Sequence, residues 1–228
     1  MLVRYCIDLV CRLRAITILF FLCLLCFCLI QGIAAVRAES LPSREELLQI
    51  KDDDMTMGCK DAPYTLIEYS SLSCTHCANF HKNSFRELRE RLINTGQVRY
   101  VYRDYPTTMS SLTGSILAHC LAGENSDRYF ELLFAMFNTQ TNWVFQQNYA
   151  DALLAILKLY GVEEDKFKLC LKNQNISGSL TKKSFEAGKI FDIKYTPTFF
   201  LNGEKIEGEV RVDELEEKIK KSGKVKAQ

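Results

Sequence analysis

Two cysteines separated by a threonine and a histidine are the residues of this 228-residue chain best placed by type and spacing to do chemistry. The run is Cys74-Thr75-His76-Cys77. It stands between Tyr64-Thr65-Leu66-Ile67-Glu68-Tyr69, a strand by its β-branched and aromatic content, and a helical pattern from about Cys74 to Ile93, marked by Phe80, Phe85, Leu88 and Leu92. A cysteine at a helix start lies among unbonded backbone N–H groups at the positive end of the helix dipole. Its thiolate is stabilised there, so its pKa should fall below the free value. His76 adds a second donor or positive charge near that sulfur. Cys77, one turn on, is less exposed but within reach of Cys74. Thiol–disulfide exchange needs one exposed sulfur of low pKa and one recessed sulfur to resolve the mixed disulfide. Two other uses of these residues fit less well. A structural disulfide needs neither the helix-start placement nor the internal histidine. A zinc site built on Cys74, Cys77 and His81 lacks a clear fourth ligand, because His119 and Cys120 would have to approach from a distant part of the chain.

The elements that must hold this junction follow from patterning. Ser43-Arg44-Glu45-Glu46 is a capping box before a short amphipathic helix with Leu47, Leu48 and Ile50. Val98 to Tyr102 reads as a second strand, ending near Pro106. From Thr107 to about Ile190 the period is helical, with candidate helices around residues 112–121, 129–137, 153–160, 167–171 and 180–190. The run from Tyr195 to Leu201 is a strand with Pro197 near its start. Asn202-Gly203 is a two-residue hairpin signal, and Glu204 to Glu207 is the returning strand. Val212, Leu215 and Ile219 mark a last amphipathic helix. A strand, a helix and a strand in succession favour a parallel, right-handed crossover. The expected architecture is a small mixed sheet with helices on both faces and a helical insertion.

Composition narrows the class. Hydrophobic residues make up 47% and charged residues 25% of the chain, and the net charge is +1. That excludes disorder and gives no basic excess for nucleic acid. Ten cysteines are too many for an ordinary cytosolic enzyme. Five of them, Cys6, Cys11, Cys23, Cys26 and Cys28, fall in an N-terminal address. Arg4, Arg12 and Arg14 precede an uncharged run from Ala15 to Val36, and Val36-Arg37-Ala38 has the pattern of a cleavage site. Residues 1–38 therefore read as a signal peptide cut after Ala38. Left uncut, residues 15–36 are long enough to anchor the chain in a bilayer. Removal takes away four basic and one acidic residue, leaving 25 basic against 27 acidic in 190 residues. The bulk of the chain is expected outside the cytoplasm, where disulfides persist. It keeps Cys59, Cys74, Cys77, Cys120 and Cys170.

The run from Ile67 through Glu68 to Cys74-Thr75-His76-Cys77, with Tyr195-Thr196-Pro197-Thr198, resembles the DsbA family of thiol:disulfide oxidoreductases, most closely its alphaproteobacterial branch. The likeness covers about Met57 to Lys220. It implies an α/β, thioredoxin-like fold with an inserted helical domain. Residues 62–106 and 191–228 would form the thioredoxin-like domain, 107–190 the insertion and 39–61 an N-terminal segment. It implies that Cys74 is the attacking cysteine and Cys77 the buried one, with Thr75 and His76 tuning potential. Pro197 matches the family's cis-proline, which leaves the Thr196 backbone free to pair with an extended substrate. Glu68 matches a buried acid that moves protons near Cys77. A disulfide between Cys120 and Cys170 is expected from relatives that carry a second bridge, which leaves Cys59 unassigned. The implied partners are unfolded exported polypeptides and a quinone-linked membrane oxidase in the periplasm, with no metal, cofactor or nucleic acid. Two departures point to a less oxidising centre: Thr75 where strong oxidants carry proline, and Thr196 where they carry valine. The rival readings are an isomerase or reductase kept reduced, and a membrane-tethered assembly or metal-delivery factor.

Overall fold

The structure, a computed structural model, describes residues 41–226, so the address over residues 1–38 and its five cysteines lie outside the described residues. Ser43 caps the first helix, α1 (Arg44–Leu48), with both bonds of a capping box to Glu46 in place. Strand β1 (Met55–Met57) follows, then β2 (Tyr64–Ser70). A continuous helix, α2, runs over residues 75–93, first as a regular helix Thr75–Asn79 and then through π-helical turns at Phe80–Ser84 and Arg89–Ile93. Strand β3 (Val98–Asp104) leads into five helices: α3 (Met109–Ala122), α4 (Ser126–Asn138), α5 (Tyr149–Lys158), α6 (Glu164–Leu171) and α7 (Gln174–Phe191). The chain closes with β4 (Thr198–Leu201), β5 (Glu204–Glu207) and α8 (Val212–Lys226).

The sheet has five strands in the order β1-β3-β2-β4-β5. Strands β2 and β3 are parallel, joined by the α2 crossover, and the other pairs are antiparallel. Side chains alternate across the sheet, so Leu66, Tyr100 and Phe199 enter a core beneath α2 and the insertion. Ile67, Tyr69, Val101 and Phe200 enter a second, smaller core closed by Ala187 and Phe191 of α7 and by the half-buried Leu47 and Leu48 of α1. Each fully buried aliphatic or aromatic side chain contributes roughly 1.5–3 kcal/mol of transfer free energy.

Three local differences from the sequence reading have physical causes. Strand β1, only three residues long, is too short for periodicity to reveal. The strand expected from Tyr195 begins instead at Thr198. Pro197 has no N–H for a ladder, and the Thr198 hydroxyl donates back to the Tyr195 carbonyl at 2.7 Å, making a loop of those residues. Helix α7 starts at Gln174 rather than near Leu180, because the Asn173 side chain caps it through the Ile176 N–H. Cys120 on α3 and Cys170 on α6 are joined by a disulfide, across a sequence separation of 50.

Candidate active site

Strand β2 delivers the chain to a turn at Ser71–Ser73, and Cys74 is the N-cap of α2. Its backbone is extended while its Sγ accepts from the Cys77 N–H at 3.4 Å. That is the capping position where a side-chain acceptor satisfies an orphan helix donor. In its thiol form Cys74 donates to the Thr196 carbonyl at 3.0 Å. Cys74 is partly exposed, whereas Cys77 is fully buried, and both are free thiols.

This difference in surroundings splits the pair. The Cys74 pKa is lowered to about 5, first by a hydrogen bond from the Cys77 thiol, then by the Thr196 side chain and the backbone N–H groups of Cys77 and His76. Partial burial opposes these but does not win. Cys77 is pushed well above the ordinary thiol value, chiefly by burial, and then by the charges of Cys74 and Glu68. One sulfur is thus a stable thiolate at neutral pH and its neighbour holds its proton.

The loop opposite carries Thr196-Pro197 with a cis peptide bond. Pro197 is buried and Thr196 half-buried, so the cysteine pair and this loop share one side of the sheet's end. Thr75 is exposed at the first helical position. His76 bears on the sulfur as donor and as charge: its backbone N–H lowers the Cys74 pKa, and Cys74 in turn, after Glu209, raises the His76 pKa. Its ring is drawn to Glu209, with Nδ1 2.7 Å from Oε1, and its side chain is 71% exposed. Glu209 raises the His76 pKa, so the ring carries more charge than a free histidine, but that charge is shared outward. What His76 gives the sulfur most directly is its backbone N–H.

Glu68 is fully buried on the central strand β2. Its Oε1 lies 3.1 Å from His81 Nε2, and its Oε2 accepts from the Tyr100 hydroxyl at 2.5 Å. His81 is itself buried and stacks on Phe137 with ring centroids 4.2 Å apart. In this arrangement His81 Nε2 faces Glu68. Among the described residues no group of three or more His, Cys, Asp or Glu side chains is placed to hold a metal ion. His119 pairs with the buried Asp104 at 2.8 Å, and Cys59 is exposed.

Several residues that frame the site are not visible from sequence. Gln140, buried in the insertion, donates its side-chain amide to the carbonyls of Leu72 (2.8 Å) and Cys74 (2.9 Å). The hydroxyls of Ser71, Ser73 and Thr107 form a triangle of contacts of 3.0–3.1 Å across the same turn. Gly114 of α3 lets the insertion approach the turn: a Cβ there would stand 2.7 Å from Leu72 Cδ1 and 3.0 Å from Trp143 Cη2. The nearest sequence signal is the Gln140-Thr141-Asn142 run between helices, which marks a loop but not its partner.

Fold and site together define a thioredoxin-fold protein with a dithiol at a helix N-cap and a facing cis-proline loop. A family model described as Thioredoxin matches residues 51–221, and the chain belongs to that family, in its DsbA branch. It is 32% identical to a Rickettsia conorii protein provisionally named protein-disulfide oxidoreductase, over 68% of this chain and 55% of the relative. A Rickettsia prowazekii protein of the same provisional name is 30% identical over 76% of this chain and 63% of the relative. The chain thus spans between 55 and 63% of the length of these two relatives. The crystal structure of alpha-DsbA1 from Wolbachia pipientis superposes with a TM-score of 0.74 at 29% identity, covering 82% of this chain and all of that one.

Proposed function

We propose that this chain is an extracytoplasmic thiol:disulfide oxidoreductase that introduces disulfides into exported proteins. The observation that carries the reading is the split at the cysteine pair: Cys74 at the N-cap, partly exposed and lowered to about 5, against Cys77 buried and raised. A substrate thiolate attacks Cys74 Sγ of the disulfide form, the Cys74–Cys77 bond breaks, and Cys77 leaves with the electron pair. A second substrate thiolate then attacks the substrate sulfur of the mixed disulfide, and Cys74 leaves as a stable thiolate. The low Cys74 pKa makes it a good leaving group and favours the reduced protein, which is the condition for an oxidant. The cis-Pro197 loop, with the Thr196 carbonyl beside the sulfur, is the place where an extended substrate backbone would pair. The provisional names of the Rickettsia relatives support the same chemistry.

In this reading residues 1–38 direct export and 39–61 lead into the domain. Residues 62–106 and 191–228 carry the chemistry, and 107–190 cover it. A quinone-linked membrane oxidase re-oxidises the pair, and the periplasm is the compartment. Among the described residues no helix is long and apolar enough to cross a membrane. The isomerase reading is the rival; it rests on the likeness of Thr196 to isomerase-like members of the family, whereas the Thr196 side chain, by lowering the Cys74 pKa, acts on the oxidant's side. A glutathione titration of the pair, run beside reduced-insulin and scrambled-ribonuclease assays, decides between them. An oxidant titrates at a high potential and recovers scrambled ribonuclease poorly. Efficient ribonuclease recovery would replace the oxidase reading by the isomerase one. Cys74→Ala should abolish exchange in every assay, and retention of full exchange would remove the mechanism.

A further inference from the structure

Opening the disulfide places a thiolate at Cys77, where no water reaches it. A charge left there is costly, and a second buried charge beside it costs more. The neighbouring ionisable groups are therefore part of the chemistry, and the fold fixes which they are. On β2, Leu66 lies in the core that holds Cys77, while Ile67 and Tyr69 lie in the other, so alternation points Glu68 at the Cys77 side. On α2, His81 is four residues after Cys77, on the same face one turn along. The side chains of Glu68 and His81 are 0% and 1% exposed. His81 Nε2 meets Glu68 Oε1, and His81 Nδ1 is buried with no partner.

The groups facing His81 come from three elements besides its own. Strand β2 supplies Glu68, and β3 supplies Tyr102, whose ring centroid is 5.9 Å away. Helix α4 supplies Phe134 and Phe137, and α2 itself supplies Phe80 and Phe85. Tyr100 touches the pair through Glu68. Tyr100 and Tyr102 are pushed well above the ordinary tyrosine value, first by burial, so neither supplies a proton at neutral pH. The remaining ionisable side chains of this pocket are Cys77, Glu68 and His81.

We propose that His81 is a positioning residue for the exchange chemistry: through its bond to Glu68 it holds, jointly with that carboxyl group, the proton that Cys77 takes up when the disulfide opens. This rests on the exchange reading of Cys74 and Cys77 given above. Before opening, the Glu68–His81 pair is neutral overall. The substrate thiolate bonds to Cys74 Sγ, the Cys74–Cys77 bond breaks, and Cys77 Sγ takes the electron pair. The Glu68–His81 pair gives one proton to Cys77. Glu68 is left as a carboxylate that accepts from His81 Nε2–H and Tyr100 O–H. The pocket then carries a single negative charge, placed where two donors already stand. Closing the disulfide returns the proton to the pair.

The test follows the opening of the oxidised full chain by reduced glutathione, with alkylation quench, between about pH 5 and 9, a range that spans histidine titration. His81→Phe keeps a ring against Phe137 and removes the bond to Glu68. His81→Gln keeps a donor for Glu68 but cannot titrate. Both variants should slow opening roughly tenfold or more at neutral pH and flatten its pH profile. In a Glu68→Gln background, His81→Phe should change the rate by less than about twofold, because its effect runs through Glu68. Profiles that superimpose on the wild type, or an equal loss in the Glu68→Gln background, would overturn the proposal. A wild-type measurement guards against misfolded variants. The imidazole nitrogen resonances of His81, one of only three histidines in the chain, should report different protonation in the oxidised and reduced protein. Identical resonances overturn the proposal without any substitution. A wild-type disulfide inert to glutathione would instead sink the exchange reading itself.

Discussion

The two cysteine pairs of the described chain share a residue type and little else: one is present as free thiols, the other as a disulfide. Cys74 and Cys77 are three residues apart at the start of one helix, one sulfur partly exposed and the other sealed. Cys120 and Cys170 are 50 residues apart on two helices of the insertion, Cys120 half-buried against the core and Cys170 fully buried within it. The first pair has an asymmetric electrostatic setting, with N–H groups and a thiol converging on one sulfur only. The second pair closes a long loop inside apolar packing. Position on the chain therefore assigns the roles: the short-range pair at a helix start can change state without moving the fold, and the long-range pair restrains the fold and has no reason to change state.

The comparison is broken most forcefully by removing the bridge. Changing Cys120 and Cys170 together to serine should lower unfolding stability by about 4 kcal/mol, the loop-closure value for a loop of this length. Exchange at Cys74 should survive at temperatures where the variant is folded. Denaturant unfolding and a glutathione exchange assay on one preparation check both halves. Loss of exchange at full folding would mean that the two pairs are coupled rather than separate.

The centre makes a different prediction, in pH. Cys74 has a folded pKa depressed below its unfolded value, so its contribution to the reduced protein is present above the unfolded pKa and lost as pH falls through the folded one. Between about pH 5 and 8 the reduced chain should gain stability as pH rises, by about 2 kcal/mol once the shift is discounted for partial exposure. The oxidised chain and Cys74→Ser lack a titrating Cys74 and should show no such rise. Chemical unfolding of the three forms at both pH values reads the difference directly. A flat profile for the reduced chain would remove the electrostatic half of the contrast between the pairs.

How far these roles were legible in the sequence depends on the range of the interaction. The Cys74 N-cap is local chemistry: a strand, a turn and an amphipathic period place it without tertiary information. The Asn202-Gly203 hairpin is equally local, with φ of 46° and 89° at the two turn residues. That the His76 ring also turns to Glu209 is not legible, because that partner lies 133 residues away. The helical period places His81 on α2, and only the packing of α4 and β2 shows it sealed against Phe137 and Glu68. Gln140 was silent because it recognises backbone carbonyls, which leave no trace in a side-chain pattern.

Gln140 is one of the places where the two regions touch, and it gives the finest test of their separation. Its amide is the direct polar link from the insertion to the carbonyls of Leu72 and Cys74, both at the turn that presents the reactive sulfur. Gln140→Ala leaves those carbonyls without this donor, and a buried group left unsatisfied costs about 1–3 kcal/mol. Part of that loss relaxes by movement of the turn, so about 1–2 kcal/mol of stability should disappear, and with it some of the alignment of Cys74 against the Thr196 loop. The exchange rate should fall several-fold while the bridge variant at the same stability keeps its rate. Gln140→Glu should be worse than alanine, because it sets a carboxyl oxygen against two carbonyl oxygens. If Gln140→Ala and the bridge variant, matched for stability by denaturant, exchange thiols at the same rate, the insertion covers the centre without positioning it.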